Sequence, residues 1–527
     1  MRNFHYPGRS PVYSTNGMVA TSHPIASKTA LNALENGGNA VDAAIAAALV
    51  LPICEPQMTG LYGDMFALVK LAGSEKIIGL NGSGKSPSAL NSSTLRKEGH
   101  TSVGINSAHS ITLPGAISAF ERLAEDFSLL GLAEACKPAI YYAENGVPVA
   151  PRVAFDWEKN SSILSPNSKK HYLINGRVPK IGDIFKTPLQ SDVLRKIAKQ
   201  GAKGFYTGEV ADDLISSLKN LGGMHTMEDL YNVSCDYVDP ISAHYNGGDL
   251  IELPPNGQGA TALLLSKILS NFDYSDLDLL GSERVHLETE ASKLAYNARN
   301  LFIGDQDYMQ REINTFFDDK SSSNLANLID LKKASPNLKS QTEEVHLDTV
   351  LVTVVDKNRC AVSLIFSIFH AFGSGHSSEK YGLLFQNRGA GFTLEKDHPN
   401  ELLGNKRPLH TIIPAMVKRN GELMMAYGVM GGQYQPAGHV RILSNIIDYG
   451  LNIQDSIDSP RSFSDSSGLL LEQGYDHKVA SDLTEMGHEI IRPNAPLGGA
   501  QAIVIDDEQG TLIGGSDARK DGLALGY

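Results

Sequence analysis

The chain has 527 residues, 42% hydrophobic and 20% charged, with a formal net charge of −13. That composition belongs to an ordinary globular protein and excludes a disordered or collagen-like chain. The acidic balance disfavours nucleic acid or an anionic membrane as the main partner.

Length alone allows about three or four domains. Cys54, Cys136, Cys235 and Cys360 are scattered singly. With no C-x-x-C pair to form a zinc or redox centre, reduced thiols and no metal are expected. The opening Met1-Arg2-Asn3-Phe4-His5-Tyr6-Pro7 lacks the apolar core of a signal sequence. The longest apolar stretch, 43–53, is too short to cross a bilayer and contains Pro52. A cytoplasmic location and no membrane partner follow as expectations.

In chain order, residues 26–36 read as a helix stopped by Gly37-Gly38. Asn39 or Asp42 starts a second helix, with Val41, Ala44, Ile45, Ala48 and Leu49 on one face. Residues 65–71 and 76–80 read as a strand hairpin, followed by the loop Asn81-Gly82-Ser83-Gly84. From about 115 to 330 the pattern is mostly helical, clearest at 115–129, 191–200, 210–220 and 282–305. Residues 254–259 form a turn-rich loop before a helix from Ala260. Residues 321–344 are polar and predict a flexible segment or linker. Residues 349–355 and 361–369 read as strands joined by Asp356-Lys357-Asn358-Arg359. The first is apolar on both faces, as a strand buried between layers should be. Strands at 421–428 and 501–505 and helices at 440–449 and 479–486 complete the reading.

Thr349 opens the strand 349–355 directly after a polar segment that ends Glu344-Val345-His346-Leu347-Asp348. This is the pattern of an enzyme that cuts itself before Thr349 and uses the new N-terminal threonine as nucleophile. The hydroxyl attacks and the freed α-amine takes its proton. An α-amine titrates at about 7.7–8.0, so it works as a base near neutral pH.

Further blocks surround it in order: Gly17-Met18-Val19-Ala20-Thr21-Ser22-His23-Pro24, Gly37-Gly38-Asn39-Ala40-Val41-Asp42-Ala43-Ala44, Glu55-Pro56-Gln57-Met58-Thr59-Gly60 and Gly63-Asp64. Beyond Thr349 come Phe372-Gly373-Ser374-Gly375, Gln386-Asn387-Arg388-Gly389, Lys406-Arg407-Pro408, Gly431-Gly432 and Gly515-Ser516-Asp517-Ala518-Arg519. From about 16 to 527 the sequence resembles the γ-glutamyltransferase family of N-terminal-nucleophile hydrolases. The resemblance implies an α+β fold, a four-layer αββα sandwich. It implies self-cleavage between Asp348 and Thr349 into a large subunit, 1–348, and a small subunit, 349–527, that share one core. It also implies amide-bond chemistry without a cofactor on a small-molecule substrate, and leaves open a dimer of processed heterodimers.

The same resemblance suggests site residues. Ser367 matches a hydroxyl near the nucleophile's amine. Gly431 and Gly432 match an oxyanion-hole loop, where glycine lets backbone N–H groups approach a developing negative oxygen. His410 and Thr411 match positions at which transpeptidases usually carry substrate-binding serines, and His370 is a candidate for the same cleft. Ser83 occupies the place of the arginine that holds the glutamyl carboxylate, and Gly391 the place of the acid that holds its ammonium. Arg388 stands where a neutral amide is usual, and arginine grips a carboxylate with two parallel hydrogen bonds. A cation without a nearby anion suits a substrate with a carboxylate and no amine. The run 367–375 is similar to the branch that includes oxamate amidohydrolase of purine catabolism. That implies hydrolysis of a small carboxylate amide, oxamate to oxalate and ammonia. Two alternatives stand beside it: a γ-glutamyl hydrolase or transferase, and an unprocessed binding protein of the same fold.

Overall fold

The structure, a computed structural model, describes residues 8–336 and 349–527. Asp348 and the second half of the polar segment before Thr349 lie outside the described residues. Two seven-stranded sheets form the centre. One runs, edge to edge, Leu523–Gly526, Met18–Thr21, Val350–Val355, Ala361–Ser367, Asp64–Lys70, Ile77–Gly82 and Asp236–Val238. The other runs Val12–Ser14, Thr511–Ser516, Gly499–Asp506, Glu422–Met430, Ala415–Arg419, Gly248–Glu252 and Ile241–Tyr245. All the pairings within both are antiparallel.

Side-chain alternation along Val350–Val355 shows why this strand is apolar on both faces. Val350, Val352 and Val354 join the core under the helices, while Leu351 and Val355 join the core between the sheets. Helices Pro24–Glu35, Ala40–Cys54 and Ala116–Phe127 cover the outer face of the first sheet. Helices Gly259–Leu269, Ser282–Phe302 and Gln435–Ile447 cover the second. The result is the four-layer αββα sandwich.

Several elements differ from the sequence reading. Helix Ala40–Cys54 is buried at every residue and has no exposed face, because it lies between the sheet and neighbouring helices. Its start is fixed by a capping box, with Asn39 accepting from the Asp42 amide and Asp42 from the Asn39 amide. The stretch taken as mostly helical contains strands Asp236–Val238, Ile241–Tyr245 and Gly248–Glu252. The polar segment begins with helix Asp319–Ala326, capped by Asp318. The strand placed at 361–369 ends at Ser367. All four cysteines are free thiols. Burial pushes Cys136 and Cys360 up to about 12. Among the described residues, no helix is long and apolar enough to cross a membrane.

Candidate active site

Three neighbouring strands of the first sheet converge on the site. Val350 pairs with Phe366, so the same register carried one residue further sets Thr349 opposite Ser367. Ser367 in turn pairs with Asp64. Thr349, Ser367 and Asp64 therefore stand in a row across the sheet end, and all three are buried. The approach is close: a Cβ on Gly63 would sit 2.6 Å from the Ser367 carbonyl. Ser367 Oγ accepts from the Phe369 amide at 2.9 Å.

Asp64 is a buried carboxylate with a full set of donors. Its Oδ1 accepts from the amides of Gly84 at 2.9 Å and Gly115 at 3.2 Å, and from Gln386 Nε2 at 3.0 Å. Its Oδ2 lies 3.1 Å from His410 Nε2. The Ile412 amide donates to His410 Nδ1 at 3.4 Å, so the imidazole proton sits on Nε2. Burial, helped by the Arg388 charge, lowers His410 to about 4, and the ring is neutral near pH 7. Both His410 nitrogens thus face protein groups.

Arg388 is fully buried in the short turn Arg388–Gly391. Its Nη1 donates to Thr411 Oγ1 at 2.8 Å, and its guanidinium carbon lies 4.0 Å from the Phe369 ring centre. Its Nε and Nη2 have no hydrogen-bond partner among the described residues. Burial lowers the guanidinium from its ordinary value, against the opposing pull of Asp64. Phe369 holds its ring there with a φ of 81°, in the region that non-glycine residues avoid. Such backbone costs about 1–3 kcal/mol and persists only when its surroundings enforce it.

Gly431 and Gly432 follow strand Glu422–Met430, past its last ladder pair, Met430 with Gly499. Their φ values are 125° and 54°, and a Cβ on Gly431 would meet Gly498 Cα at 2.8 Å. Only glycine fits that combination. Gln258 Nε2 ties this loop to the rest, donating to the Gly432 carbonyl at 3.0 Å and the Thr411 carbonyl at 2.6 Å. The amide of His370 and the carbonyl oxygen of Asn387's side chain are 3.2 Å apart, beside Arg388 in sequence. Ser83 Oγ accepts from Asn256 Nδ2 at 3.0 Å, and the Asn256 carbonyl accepts from the His410 amide at 2.8 Å.

Every candidate among the described residues therefore belongs to one connected patch. The sequence reading gave no role to the residues that connect it: Asp64, Asn256, Gln258 and Asn387. Asp64 and Asn387 lie inside matched blocks, and Asn256 and Gln258 lie in the loop read as turn-rich, so only their contacts were hidden. A cavity of about 330 Å³ opens beside the patch, lined by Phe369, Thr411, Gly391, Gln433, Arg299 and Glu395, among others.

Comparison with known proteins fits this geometry. The profile of the Gamma-glutamyltranspeptidase family matches residues 26–527. The chain is 33% identical over 526 residues to the glutathione hydrolase-like YwrD proenzyme of Bacillus subtilis, covering 98% of this chain and 99% of that one. It is 31% identical over 530 residues to the oxamate amidohydrolase proenzyme of Klebsiella pneumoniae, covering 98% and 99%. The crystal structure of cephalosporin acylase from Bacillus halodurans superposes with a TM-score of 0.91 at 34% identity, covering 100% and 99%. The chain belongs to the γ-glutamyltranspeptidase family of N-terminal-nucleophile hydrolases. It is an amidohydrolase proenzyme of the autoprocessed, threonine-nucleophile class, typically divided into a large and a small subunit.

Proposed function

We propose that this enzyme cuts itself between Asp348 and Thr349 and hydrolyses a small amide bearing a carboxylate, with oxamate as the best candidate. The observation that carries the substrate class is Arg388: a buried cation with two nitrogens unmatched among the described residues, stacked on Phe369 two residues past Ser367. A buried charged donor left unpaired is costly, and a carboxylate supplies the two acceptors it lacks.

Processing begins when the Thr349 hydroxyl attacks the Asp348 carbonyl. The peptide C–N bond breaks, leaving an ester on Thr349 Oγ1 and a free α-amine. Water then hydrolyses the ester and separates residues 1–348 from 349–527. In turnover the amine takes the hydroxyl proton as Oγ1 attacks the substrate amide, with Ser367 relaying it. The Gly431 and Gly432 amides stabilise the oxyanion. The amine returns the proton to the departing ammonia, and water releases the acid from the acyl-enzyme. Arg388 holds the carboxylate, braced by Thr411 and Phe369. His410 and His370 position the surrounding loops, and Ser83, bonded to Asn256, brings no charge to the site.

A γ-glutamyl substrate is the second reading. Two observations favour it: Glu395 brings an acidic group to the cavity that Gly391 leaves uncharged, and one of the relatives is named as glutathione hydrolase-like. The test is two-fold. Purified protein should give two fragments, the smaller beginning at Thr349. It should release ammonia from oxamate faster than it cleaves glutathione. An uncut chain that is active would overturn the mechanism, and preferred glutathione turnover would overturn the substrate.

A further inference from the structure

Helix Ser282–Phe302 carries His286 and Glu290 one turn apart on one face. His488 reaches them from the turn that follows helix His477–Glu485. One ligand atom from each of the three lies within 4.8 Å of the others, and all three residues are buried. The sequence shows no Cys/His ligand cluster close together in the chain, and no metal was expected. The His-x-x-x-Glu spacing was visible, but its partner lies about 200 residues away in the chain.

Hydrogen bonding fixes what each group offers. His286 Nε2 lies 2.7 Å from the Asp330 carbonyl, which can only accept, so that nitrogen carries the proton. Its Nδ1 keeps a lone pair, directed at His488 Nε2 at 2.7 Å, which therefore donates. Glu290 Oε2 accepts from the Ser335 amide at 3.1 Å, and Oε1 from Lys293 Nζ at 2.7 Å. An imidazole anchored through its far nitrogen to a carbonyl, and a carboxylate anchored by an amide, are the outer contacts that orient metal ligands.

We propose that His286, Glu290 and His488 bind one zinc-class divalent cation, with water as the fourth ligand. Two imidazoles and one carboxylate suit zinc. The cation enters between His286 Nδ1 and His488 Nε2. The proton on His488 Nε2 is replaced by one on its own Nδ1, so the ring stays neutral and offers Nε2 to the cation. The nitrogens move from 2.7 Å to roughly 3.3 Å apart, as tetrahedral bonds of about 2.0–2.1 Å require. Glu290 supplies the oxygen, and Lys293 is the competitor the cation must outweigh.

The site spans Thr349 in sequence, with two ligands before it and one after. Asp330 and Ser335 belong to the last described stretch before residue 337, and Ala334 also donates to the Met486 carbonyl at 2.7 Å. A cation here pins that stretch to both flanking helices. If the chain is cut before Thr349, the cation clamps the end of the large subunit onto the small one. This last step rests on the processing reading; cation binding does not.

The test uses the full-length protein after dialysis against a chelator. Calorimetric titration with Zn²⁺ should show one site per chain, and Co²⁺ should give the intense visible absorption of four-coordinate cobalt. His286→Ala and His488→Ala should each weaken binding by more than the about 10–100-fold that outer partners contribute. Lys293→Ala should tighten it, which keeps the proposal falsifiable if a histidine variant fails to fold. Absence of stoichiometric binding, a six-coordinate cobalt spectrum, or undiminished binding by a folded His286→Ala/His488→Ala chain would overturn the site. Sequencing the fragments of the same samples reports processing separately, so failure of the cut and failure of the site are distinguishable.

Discussion

Asp64 and Arg388 are both fully buried charges in one patch, and they are treated in opposite ways. Asp64 receives four donors, two of them backbone amides, so its negative charge is compensated within the fold. Arg388 receives one hydroxyl and an aromatic face, and two of its nitrogens stay unmatched among the described residues. A compensated buried charge is a structural fixture. A buried cation that the fold leaves short of acceptors, and lowers from its ordinary pKa, is prepared for an outside anion.

That contrast separates the effects of mutation. The largest belongs to the proposed nucleophile: Thr349→Ala should leave one uncut chain and no amide hydrolysis, read by gel and ammonia release. Normal cleavage in that variant would remove Thr349 from the mechanism. Asp64→Ala comes next and should strike folding. It strands buried donors from Gly84, Gly115, Gln386 and His410, at roughly 1–3 kcal/mol for each donor left unsatisfied. Its denaturation midpoint should fall well below that of the wild type; an unchanged midpoint would mean Asp64 is no fixture.

A smaller effect concerns alkaline pH. Burial lowers the Arg388 guanidinium from its ordinary value, yet a guanidinium keeps its proton throughout the assay range. Its hold on a carboxylate should therefore not depend on pH, and the ratio of wild-type to Arg388→Met kcat/KM for oxamate should stay constant from about pH 7 to 10. A ratio that falls toward one as pH rises would mean that a group of lower pKa, not Arg388, holds the substrate.

The site was legible in the sequence where chemistry depends on local chain, and illegible where it depends on contact. Thr349 at the mouth of an all-apolar strand was visible as a local pattern. Its candidate role, that of Gly431-Gly432 and the charge change at Arg388 and Gly391 came only from the family resemblance. Asp64 was not singled out, since its partners lie up to 346 residues away. Strands Ile241–Tyr245 and Gly248–Glu252 were missed although Ile241, Ala243 and Tyr245 alternate inward and Asn246-Gly247 marks a hairpin. Short strands inside a long helical stretch carry too few residues to outweigh the surrounding pattern. Helix Ala40–Cys54 was given one apolar face that already included Ala44 and Ala48, but its remaining residues are buried too, because small alanines allow close packing on every side.

The central claim is that Arg388 selects a carboxylate amide, and parallel kinetics of wild type and Arg388→Met test it most directly. Both proteins should first be shown to begin their small fragment at Thr349, which separates substrate binding from processing. Each is then assayed with oxamate and with γ-glutamyl-p-nitroanilide. A charged partner's hydrogen bonds are worth about 1.5–3 kcal/mol. The wild type should therefore prefer oxamate, and Arg388→Met should lose about ten- to a hundred-fold in kcat/KM for it while remaining cut. A wild type that prefers the glutamyl substrate, or an Arg388→Met enzyme with unchanged oxamate kinetics, would contradict the account.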